Sequence, residues 1–430
     1  MKTAIRIGML GMGTVGTGVA KMLTANADGI KQKTGAPVEL KTVLVRTLNK
    51  PRISSATVQF TTDFREILED PDIDIIIEVM GGEEPAKGYI LEALKAGKHV
   101  VTANKDVMAK YGRELFEAAE ASGVDLMFEA SVGGGIPIIR PLKQCLAGNK
   151  IQEVMGIVNG TTNYILTKMT NERADYATAL REAQQKGYAE ADPTADVGGF
   201  DAARKIAILA SIAFGTRVTV NDVHIEGITR ITPYDIEYAG ELGYAIKLLA
   251  VARDTANGVD VRVHPAFVPL THPLAAVSDV FNAIYVKGDA VGETMFYGRG
   301  AGEMPTASAV VGDVIDTCRN IQHNVNSRIL CTCFENKHLC SVEHVDSPFY
   351  IRLLVEDKPG VLALIASAFG DRRVSLHSVI QKRKVGERAE IVLLTYRVPE
   401  ANMNLALYNL NKLPVVAQVS NVIRVVTSDF

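Results

Sequence analysis

The chain has 430 residues, of which 47% are apolar and 22% are charged, and its formal net charge at pH 7 is −3. This length predicts two or three domains of ordinary globular composition, and the small net charge gives no reason to expect a nucleic-acid partner or an anionic membrane. No apolar run approaches the roughly 20 residues that span a bilayer, and the first residues lead directly into a predicted strand, so we expect neither a membrane segment nor a signal peptide.

Predicted strands and helices alternate over residues 1–130. The segment at 74–80, D-I-I-I-E-V-M, is largely apolar and rich in β-branched residues, as expected for a parallel strand that is buried on both faces. This alternation is typical of an α/β fold with a doubly wound parallel sheet of the Rossmann type. The predicted strands lie at 5–10, 38–45, 74–80, 99–102 and 125–128, and the predicted helices at 14–23, 90–96 and 106–122.

A glycine motif, G-M-G-T-V-G, follows the first predicted strand and opens the first predicted helix. Glycines at these three positions permit a tight turn, close approach of the backbone to a pyrophosphate and close packing of helix on strand. The helix N-terminus adds N–H groups and a positive dipole end for the phosphates. Because the strand–turn–helix context is met, the motif predicts a dinucleotide site. The predicted positions are Gly11, Met12, Gly13, Thr14, Val15 and Gly16.

The end of the second predicted strand bears on the choice of cofactor. A site that prefers NAD usually has an acidic residue there, whereas this chain has Arg46, with Lys50 shortly after. A cation at this place accommodates the 2′-phosphate of NADP, although a solvated basic turn is the alternative. We therefore expect NADP(H) and leave NAD(H) open.

The turn Thr102-Ala103-Asn104-Lys105 lies at the carboxyl end of a predicted parallel strand, where ligands of open α/β sheets collect. Lys105 could contact both the nicotinamide and the substrate at this place. It could equally be a surface lysine that caps the turn, and its position alone does not decide between the two.

After the glycine run at 133–135 the regular alternation ends. Helix-like segments come first, and longer, more separated strand-like runs follow, which is α+β character. We therefore predict a second domain at 131–320. Its predicted helices lie at 137–147, 162–170, 176–186, 200–214 and 307–320, and its predicted strands at 247–253 and 259–268.

An acidic cluster with one lysine is the rarest feature of the second domain. Glu190, Asp192 and Asp196 precede a helix on which Asp201 and Lys205 are four residues apart and so share one face. The rest of that helix is nearly all apolar, so a charged pair at its start indicates a lined active site rather than a surface salt bridge. The carboxylates could ligate a divalent metal or hold a substrate ammonium and hydroxyl, and the lysine could exchange a proton as a carbonyl is reduced.

Residues 321–347 are polar and weakly periodic, so we predict a linker. Four of the five cysteines fall in or beside this segment, together with His338. Their spacing does not match the paired C-x2-C pattern of structural zinc sites, so we favour free thiols in a reduced, cytoplasmic protein over a zinc site. The four cysteines are Cys318, Cys331, Cys333 and Cys340.

A third unit is predicted at 348–430. Its elements follow the order βαββαβ, which is the ferredoxin-like arrangement. The predicted strands lie at 350–355, 374–381, 389–398 and 415–426, and the predicted helices at 359–369 and 402–412.

The motifs together closely resemble those of homoserine dehydrogenases of the long, regulated bacterial type, which end in an ACT domain. They occur in the expected order along the whole chain, and the acidic block is specific to that family. The matching motifs are G-x-G-T-V-G at 11–16, T-A-N-K at 102–105, E-A-S-V-G-G-G-I-P at 129–137, N-G-T-T-N-Y-I-L at 159–166, G-Y-A-E-A-D-P with D-x-x-R-K at 187–205, G-R-G-A-G-x-x-P-T-A-S-A-V at 298–310 and D-K-P-G-V-L at 357–362.

The resemblance implies NAD(P)-dependent interconversion of L-aspartate 4-semialdehyde and L-homoserine, in threonine, methionine and isoleucine biosynthesis. It implies that 131–320 is a substrate-binding catalytic and dimerisation domain. The ACT domain implies feedback inhibition, most simply by L-threonine bound near the loop at 358–362, and assembly into a homo-oligomer, a dimer or a tetramer.

The resemblance also assigns residues to roles. The catalytic residues would be Lys205 as proton donor, Lys105 and Asp201; substrate would be bound by Glu190, Asp196, Tyr188 and Lys105. The cofactor would be bound by Gly11, Met12, Gly13, Thr14, Val15, Gly16, Arg46, Thr102, Lys105, Gly187, Gly300 and Gly302. A monovalent cation, usually Na⁺, would be held by Glu129, Val132, Gly134 and Ile136, largely through backbone carbonyls.

Two rival functions are less favoured. Aspartate-semialdehyde dehydrogenase chemistry needs a cysteine nucleophile, and before Cys318 the only candidate is Cys145, which the pattern places in a helical core. A non-enzymatic redox or amino-acid sensor would leave the acidic cluster and Lys205 unexplained.

Overall fold

The computed structural model describes residues 2–48, 58–326, 328 and 331–426. Lys50, which entered the prediction of cofactor preference, lies outside these residues. The chain divides into two compact units of three segments each. The first unit comprises Met1–Val154, Arg204–Asn221 and Asn282–Asn336, and the second comprises Met155–Ala203, Asp222–Phe281 and Lys337–Phe430. The domain boundaries at 130, 320 and 347 stay predictions.

The N-terminal part of the first unit is a six-stranded parallel sheet. Its elements are β1 (Ile5–Leu10), α1 (Thr14–Ala25), α2 (Ala27–Thr34), β2 (Val38–Leu44), β3 (Gln59–Thr61), α3 (Arg65–Leu68), β4 (Ile73–Glu78), α4 (Ala86–Lys95), β5 (His99–Thr102), α5 (Lys105–Ser122) and β6 (Leu126–Met127). The strand order is β3-β2-β1-β4-β5-β6, and every neighbouring pair is parallel. The predicted α/β sheet of the Rossmann type is confirmed.

The middle of the chain mixes helices with longer strands, as predicted. The elements are β7 (Ile151–Ile157), α6 (Gly160–Glu172), α7 (Tyr176–Gln185), α8 (Thr194–Val197), α9 (Phe200–Ala213), β8 (His224–Ile225), α10 (Pro233–Glu241), β9 (Tyr244–Thr255), β10 (Gly258–Pro269), β11 (Phe281–Gly288), β12 (Gly292–Arg299) and α11 (Glu303–His323). In the first unit, α11 adds Ala307, Val310 and Val314 to the apolar core of the parallel sheet, around Ile75 and Ile77. In the second unit, β9 and β10 form an antiparallel hairpin.

The predicted helix at 137–147 is longer than the observed one. The chain is helical only over 139–145, and Pro141–Cys145 is a π-helical turn. The N–H groups of residues 138–140, at the start of this segment, donate to the Glu129 carboxylate at 2.6 to 2.8 Å. Two prolines in the segment remove further donors. Cys145, predicted at a buried helical position, is exposed.

Several elements of these two parts of the chain were not predicted, namely α2, α3, α8, α10, β3, β7, β8, β11 and β12. Along β12, half-buried and exposed positions alternate and the only apolar run is Met295-Phe296-Tyr297, so the strand gives only a short signal in the sequence. For α10 a signal was present. Thr232 caps the helix, Pro233 occupies its first position and Asp235 completes a capping box, which is a recognised helix start.

The C-terminal part of the second unit is a ferredoxin-like module. Its elements are β13 (Asp346–Ser347), β14 (Phe349–Glu356), α12 (Val361–Gly370), β15 (Leu376–Val385), β16 (Arg388–Thr395), β17 (Val398–Pro399), α13 (Glu400–Leu410) and β18 (Val416–Val425). The strands β18, β14, β16 and β15 are neighbours in that order, and all three pairs are antiparallel. The predicted βαββαβ order is confirmed.

Backbone pairing and buried charges connect this module to the rest of the second unit. The strand β18 also pairs in parallel with β10. The Arg352 side chain of the module lies 2.8 Å from Asp235 on α10, and Arg262 on β10 lies 3.2 Å from Glu400 on α13. All four side chains are buried. Among the helices that the structure describes, none has the length and apolar character needed to cross a membrane.

Candidate active site

A cavity of about 580 Å³ lies at the carboxyl edge of the parallel sheet in the first unit. It receives residues that follow β1, β2 and β4, three strands that meet where the strand order reverses. Ligands of doubly wound sheets bind at this place. The lining residues are Gly11, Met12, Gly13, Leu44, Val45, Arg46, Thr47, Thr62, Val79, Met80, Gly81, Glu84, Pro85 and Tyr89.

The loop after β1 requires glycine at two positions. Gly11 has a φ of +106°, and a Cβ at Gly16 would lie 2.3 Å from the carbonyl oxygen of Gly11. Gly13 is the N-cap residue of α1, and no side chain among the described residues caps this helix. The first N–H groups of α1 therefore remain available to an anion, so the loop fits the pyrophosphate of a dinucleotide.

A buried carboxylate fixes the turn that precedes α5. Glu78, at the end of β4, accepts a hydrogen bond from Thr102 Oγ1 at 2.6 Å, and burial raises the pKa of its carboxyl. Thr102 Oγ1 accepts from the N–H of Asn104 at 3.0 Å, and the Asn104 side chain caps α5 by accepting from Val107 N at 3.1 Å. Lys105 is the first residue of α5, so its backbone is held by this network.

Two loops with predicted ligand-binding roles pack closely in the first unit. A Cβ at Gly134 would lie 2.4 Å from the carbonyl oxygen of Gly300, so glycine is required for this approach. Gly302 is the N-cap residue of α11 and has a φ of +125°. The predicted cation loop at 129–136 thus contacts the predicted cofactor loop at 298–302 through backbone.

The charged residue of the cation loop is already occupied. Both oxygens of the buried Glu129 carboxylate accept hydrogen bonds from backbone N–H groups of residues 138–140. Val132, Gly134 and Ile136, the other predicted cation ligands, lie on the same loop.

Asn159 joins two predicted site carboxylates in the second unit. Its Nδ2 donates to Asp196 Oδ1 at 2.7 Å and to Asp201 Oδ2 at 2.9 Å. Its Oδ1 accepts from the N–H of Thr162 at 2.9 Å and so caps α6. The capping hydrogen bond fixes the orientation of the Asn159 amide, and the amide in turn fixes the orientation of the Asp196 and Asp201 carboxylates. Asn159 was missed as a site residue, although an asparagine before a helix start is an N-cap signal.

The helix α9 carries the predicted proton donor. Asp201 and Lys205 lie one turn apart on α9, as their spacing predicted, and only 5% and 9% of their surface is exposed. The residue before Lys205, Arg204, forms an ion pair with Asp106 on α5, with Nε and Oδ1 2.7 Å apart. Neither Arg204 nor Asp106 was predicted as a site residue, because only the fold brings them together.

The other predicted substrate residues lie on the loop between α7 and α8. Glu190 and Tyr188 are exposed, and the Tyr188 ring meets the Tyr164 ring edge-on, with centroids 5.0 Å apart. Thr161 Oγ1 donates to the Tyr188 carbonyl oxygen at 2.6 Å, which fastens the loop to the start of α6. Gly187 has a φ of +74° and turns the chain out of α7.

Comparison with known proteins gives the family. Three family models match the chain: "Homoserine dehydrogenase, NAD binding domain" over residues 11–129, "Homoserine dehydrogenase" over 137–315, and "ACT domain" over 349–414. The homoserine dehydrogenase of Bacillus subtilis is 46% identical over 98% of each chain, and that of Synechocystis is 48% identical over 98% of this chain and 100% of its own. The chain belongs to the homoserine dehydrogenase family.

Solved structures agree with this assignment. A homoserine dehydrogenase from Thiobacillus denitrificans superposes with a TM-score of 0.94 at 42% identity, over 98% of both chains. The S. aureus homoserine dehydrogenase at pH 7.5 gives a TM-score of 0.79 at 37% identity, over 99% of both chains. The chain is thus an NAD(P)-dependent oxidoreductase that interconverts L-aspartate 4-semialdehyde and L-homoserine, and it carries an ACT domain.

The predicted site residues of this homoserine dehydrogenase fall into both units. In the described part of the chain, no group of three or more His, Cys, Asp or Glu side chains is placed to hold a metal ion. The first unit contains Gly11, Met12, Gly13, Thr14, Val15, Gly16, Arg46, Thr102, Lys105, Glu129, Val132, Gly134, Ile136, Lys205, Gly300 and Gly302, and the second contains Gly187, Tyr188, Glu190, Asp196 and Asp201.

Proposed function

We propose that Lys205 donates the proton when L-aspartate 4-semialdehyde is reduced to L-homoserine. The nicotinamide, when bound, supplies a hydride to the aldehyde carbon. The aldehyde oxygen gains negative charge as this happens, and an ammonium group at that atom neutralises the charge by giving up its proton. In the reverse direction the neutral Lys205 amine accepts the hydroxyl proton of homoserine.

The hydrogen bonds of Asn159 are the observation that carries this proposal. Neighbouring carboxylates repel each other, and an amide that donates to both reduces the repulsion and fixes their directions. Asp201, one helix turn before Lys205, is held in this way. We assign Asp201 to positioning the substrate and Lys205, and Asp196 and Glu190 to binding the substrate ammonium group.

Lys105 and Tyr188 complete the proposed substrate site. Lys105 begins α5 at the carboxyl edge of the parallel sheet. We assign its ammonium group to binding both the substrate and the cofactor, because a cation can pair with the substrate carboxylate. Tyr188 lies on the loop fastened by Thr161 and would contribute to the wall of the site.

We assign NADP(H) as the preferred cofactor and NAD(H) as the alternative. Arg46 lines the cavity directly after β2, where dinucleotide folds bind the adenosine ribose. A guanidinium pairs with a phosphate through two parallel hydrogen bonds, so it favours the 2′-phosphate that distinguishes NADP. An archaeal homoserine dehydrogenase that is 26% identical was solved in complex with NADPH, which supports this choice.

A monovalent cation, Na⁺, is proposed for the loop at 129–136. The Glu129 carboxylate is occupied by three backbone donors, which leaves carbonyl oxygens as ligands, and these suit a hard cation of low charge. Because this loop contacts the loop of Gly300, the cation would stabilise the packing of the two loops. We assign it no step in the reaction.

We propose that the ACT domain binds L-threonine and that binding inhibits the enzyme. The loop at 358–362 includes Gly360, which directly precedes α12 and has a φ of +87°. Buried ion pairs join the module to α10 and β10, which gives binding a physical route to the rest of the second unit. A homo-oligomer, dimer or tetramer, and a cytoplasmic location remain part of the proposal; free thiols at all five cysteines support the latter.

An assay without phosphate tests the role of Lys205. NADPH oxidation is followed with aspartate semialdehyde as substrate, and the rival phosphate-dependent aldehyde oxidation contributes nothing under these conditions. We expect Lys205→Ala to lower kcat by at least about 100-fold, through loss of proton donation. Lys41→Ala, which removes a lysine on β2 that pairs with Asp70, is the control and should keep normal turnover. Near-normal turnover of Lys205→Ala would remove Lys205 from this role.

The effector site is tested in the full-length chain. An alanine at Gly360 has open space around its Cβ but strains the backbone at this φ, so Gly360→Ala changes the loop without a clash. We expect the variant to keep its basal turnover and to need at least about tenfold more threonine for half inhibition, since about 1.4 kcal/mol of binding energy corresponds to that factor. Unchanged sensitivity would place the effector elsewhere.

A further inference from the structure

An ion pair connects the residues that stand next to the two predicted active-site lysines in the sequence. Asp106 follows Lys105 on α5, Arg204 precedes Lys205 on α9, and Arg204 Nε lies 2.7 Å from Asp106 Oδ1. All four residues belong to the first unit. We propose that the Asp106–Arg204 ion pair is a positioning device that holds the backbone segments of Lys105 and Lys205 at a fixed separation. This inference rests on the roles proposed above for the two lysines.

The α5 side of the ion pair is anchored to the parallel sheet. Asn104 caps α5 through Val107 N, and its Nδ2 donates to the carbonyl oxygen of Gly82 at 2.8 Å, in the loop after β4. Thr102 and the buried Glu78 hold the preceding turn. The first turn of α5 therefore has directional contacts on the sheet side and serves as a fixed reference point.

Beyond Lys205, α9 packs through apolar side chains. From Ile206 to Ala210 the helix is entirely apolar and buried. Apolar packing is non-directional, so by itself it sets the axial position of a helix less sharply than a hydrogen-bonded ion pair does. A second contact with α5 lies beyond the C-terminal end of α9, where Arg217 donates to the carbonyl oxygen of Lys110 at 2.8 Å. At the end that carries Lys205, Asn159 holds Asp201 and Arg204 pairs with Asp106, and of these two contacts the Arg204 ion pair is the one that reaches α5.

The exposure of the pair separates positioning from stability. About a third of each side chain is exposed, with values of 33% for Arg204 and 28% for Asp106. Ion pairs with this access to solvent contribute little to folding stability. A displacement of about 1 Å at a reacting group, in contrast, lowers turnover by up to about 100-fold. The pair should therefore matter far more for turnover than for stability.

A double-mutant cycle in the full-length enzyme tests the proposal. We expect Arg204→Gln and Asp106→Asn each to lower kcat about tenfold, with KM for both substrates changed less than about twofold. The double variant should be no slower than the slower single variant, because either substitution already removes the pair. Thermal midpoints should stay within about 2 °C of the parent enzyme.

The control breaks another ion pair of the same helix. Lys87 on α4 lies 3.1 Å from Glu114 on α5, and Glu114→Gln should leave kcat unchanged. Single variants with parental kcat, losses that multiply in the double variant, or a loss in Arg204→Gln alone would each overturn the proposal. Lys205→Ala distinguishes a failure of this inference from a failure of the proposed role of Lys205. If Lys205→Ala is inactive while the ion-pair variants turn over normally, only the inference about the ion pair fails. If Lys205→Ala is active, the proposed role of Lys205 fails.

Discussion

The cofactor cavity of the first unit is shaped mainly by backbone, whereas the carboxylate cluster of the second unit is held by side chains. In the cavity loop, Gly11 supplies a positive φ and Gly16 permits an approach that no Cβ would allow. In the cluster, one amide of Asn159 donates to both Asp196 and Asp201. The two regions should therefore respond to different chemical changes.

This difference has a general consequence for substitutions. A site built from backbone tolerates many side-chain changes nearby but fails when a Cβ enters the space that the ligand needs. In a cluster built from side chains, the backbone keeps its conformation when one buried donor is replaced. The side-chain arrangement is lost, because the acceptors of that donor are then left unsatisfied. Variants that change only one of these properties can test the distinction.

The largest effect is expected from Asn159→Asp. Aspartate still caps α6, but it cannot donate and adds a third negative charge beside Asp196 and Asp201, so the free energy of unfolding should fall by about 3 kcal/mol, the value of two hydrogen bonds to charged groups. The repulsion also moves the two carboxylates from the positions assigned to substrate binding, so kcat/KM for aspartate semialdehyde should fall by about 100-fold or more. Steady-state kinetics and thermal unfolding check this.

The matched control for Asn159→Asp is the reverse change at another helix cap. Asp175 caps α7 by accepting from Thr178 N at 2.7 Å, and Asp175→Asn should keep both cap and activity. If Asn159→Asp turns over within about threefold of the parent enzyme, the cluster does not depend on this donor and the side-chain half of the comparison is wrong.

The next effect concerns the cavity. A Cβ at Gly13 meets no atom within 4 Å, so Gly13→Ala should fold normally, yet it occupies the space through which a pyrophosphate approaches the backbone. We expect KM for NADPH to rise by about tenfold or more, with little change in KM for the aldehyde. Gly29→Ala on α2, also with open space, is the control. Unchanged affinity for NADPH would show that the loop does not bind phosphate.

A smaller effect is expected at Arg46, the side chain to which we assign the preference for NADP(H). Arg46→Ala should lower kcat/KM for NADPH about tenfold and leave kcat/KM for NADH unchanged, because only the 2′-phosphate loses its partner. Arg65→Ala on α3 removes an exposed arginine that pairs with Glu92, and it serves as the control. An equal loss with both cofactors would assign Arg46 to general binding rather than to selection.

The smallest effect is on stability and lies in the second unit. His264 on β10 is fully buried; burial, with the charges of Arg424 and Arg262, holds its pKa well below the usual 6.5. Protons therefore bind the unfolded chain first, so the stabilising contribution is complete above pH 6.5 and is lost as pH falls below it. The loss approaches about 1.4 kcal/mol per pH unit.

Urea unfolding at several pH values between about 7.5 and 5 checks this behaviour. His264→Gln removes the titrating group, so its free energy of unfolding should fall less steeply with decreasing pH than that of the parent enzyme. Parallel curves for the two proteins would mean that His264 takes up no extra proton on unfolding.

The sequence predicted what depends on neighbours in the chain. The parallel sheet, the glycine loop and the shared face of Asp201 and Lys205 all follow from local spacing. Contacts between distant segments could not be predicted in this way. Asn159 reaches its two carboxylates across 37 and 42 residues, and the Glu129 carboxylate accepts from the N–H groups at the start of the helical segment that was predicted too long at 137–147.

Chemical rescue of Lys205→Ala by small amines tests the proton-donor role most directly. A primary ammonium ion carries a transferable proton, whereas tetramethylammonium carries the same charge without one. If Lys205 delivers a proton to the aldehyde oxygen, kcat of Lys205→Ala should rise in proportion to the concentration of methylammonium and stay unchanged with tetramethylammonium. Equal behaviour with the two cations would show that Lys205 acts through its charge or its volume, and would contradict proton donation.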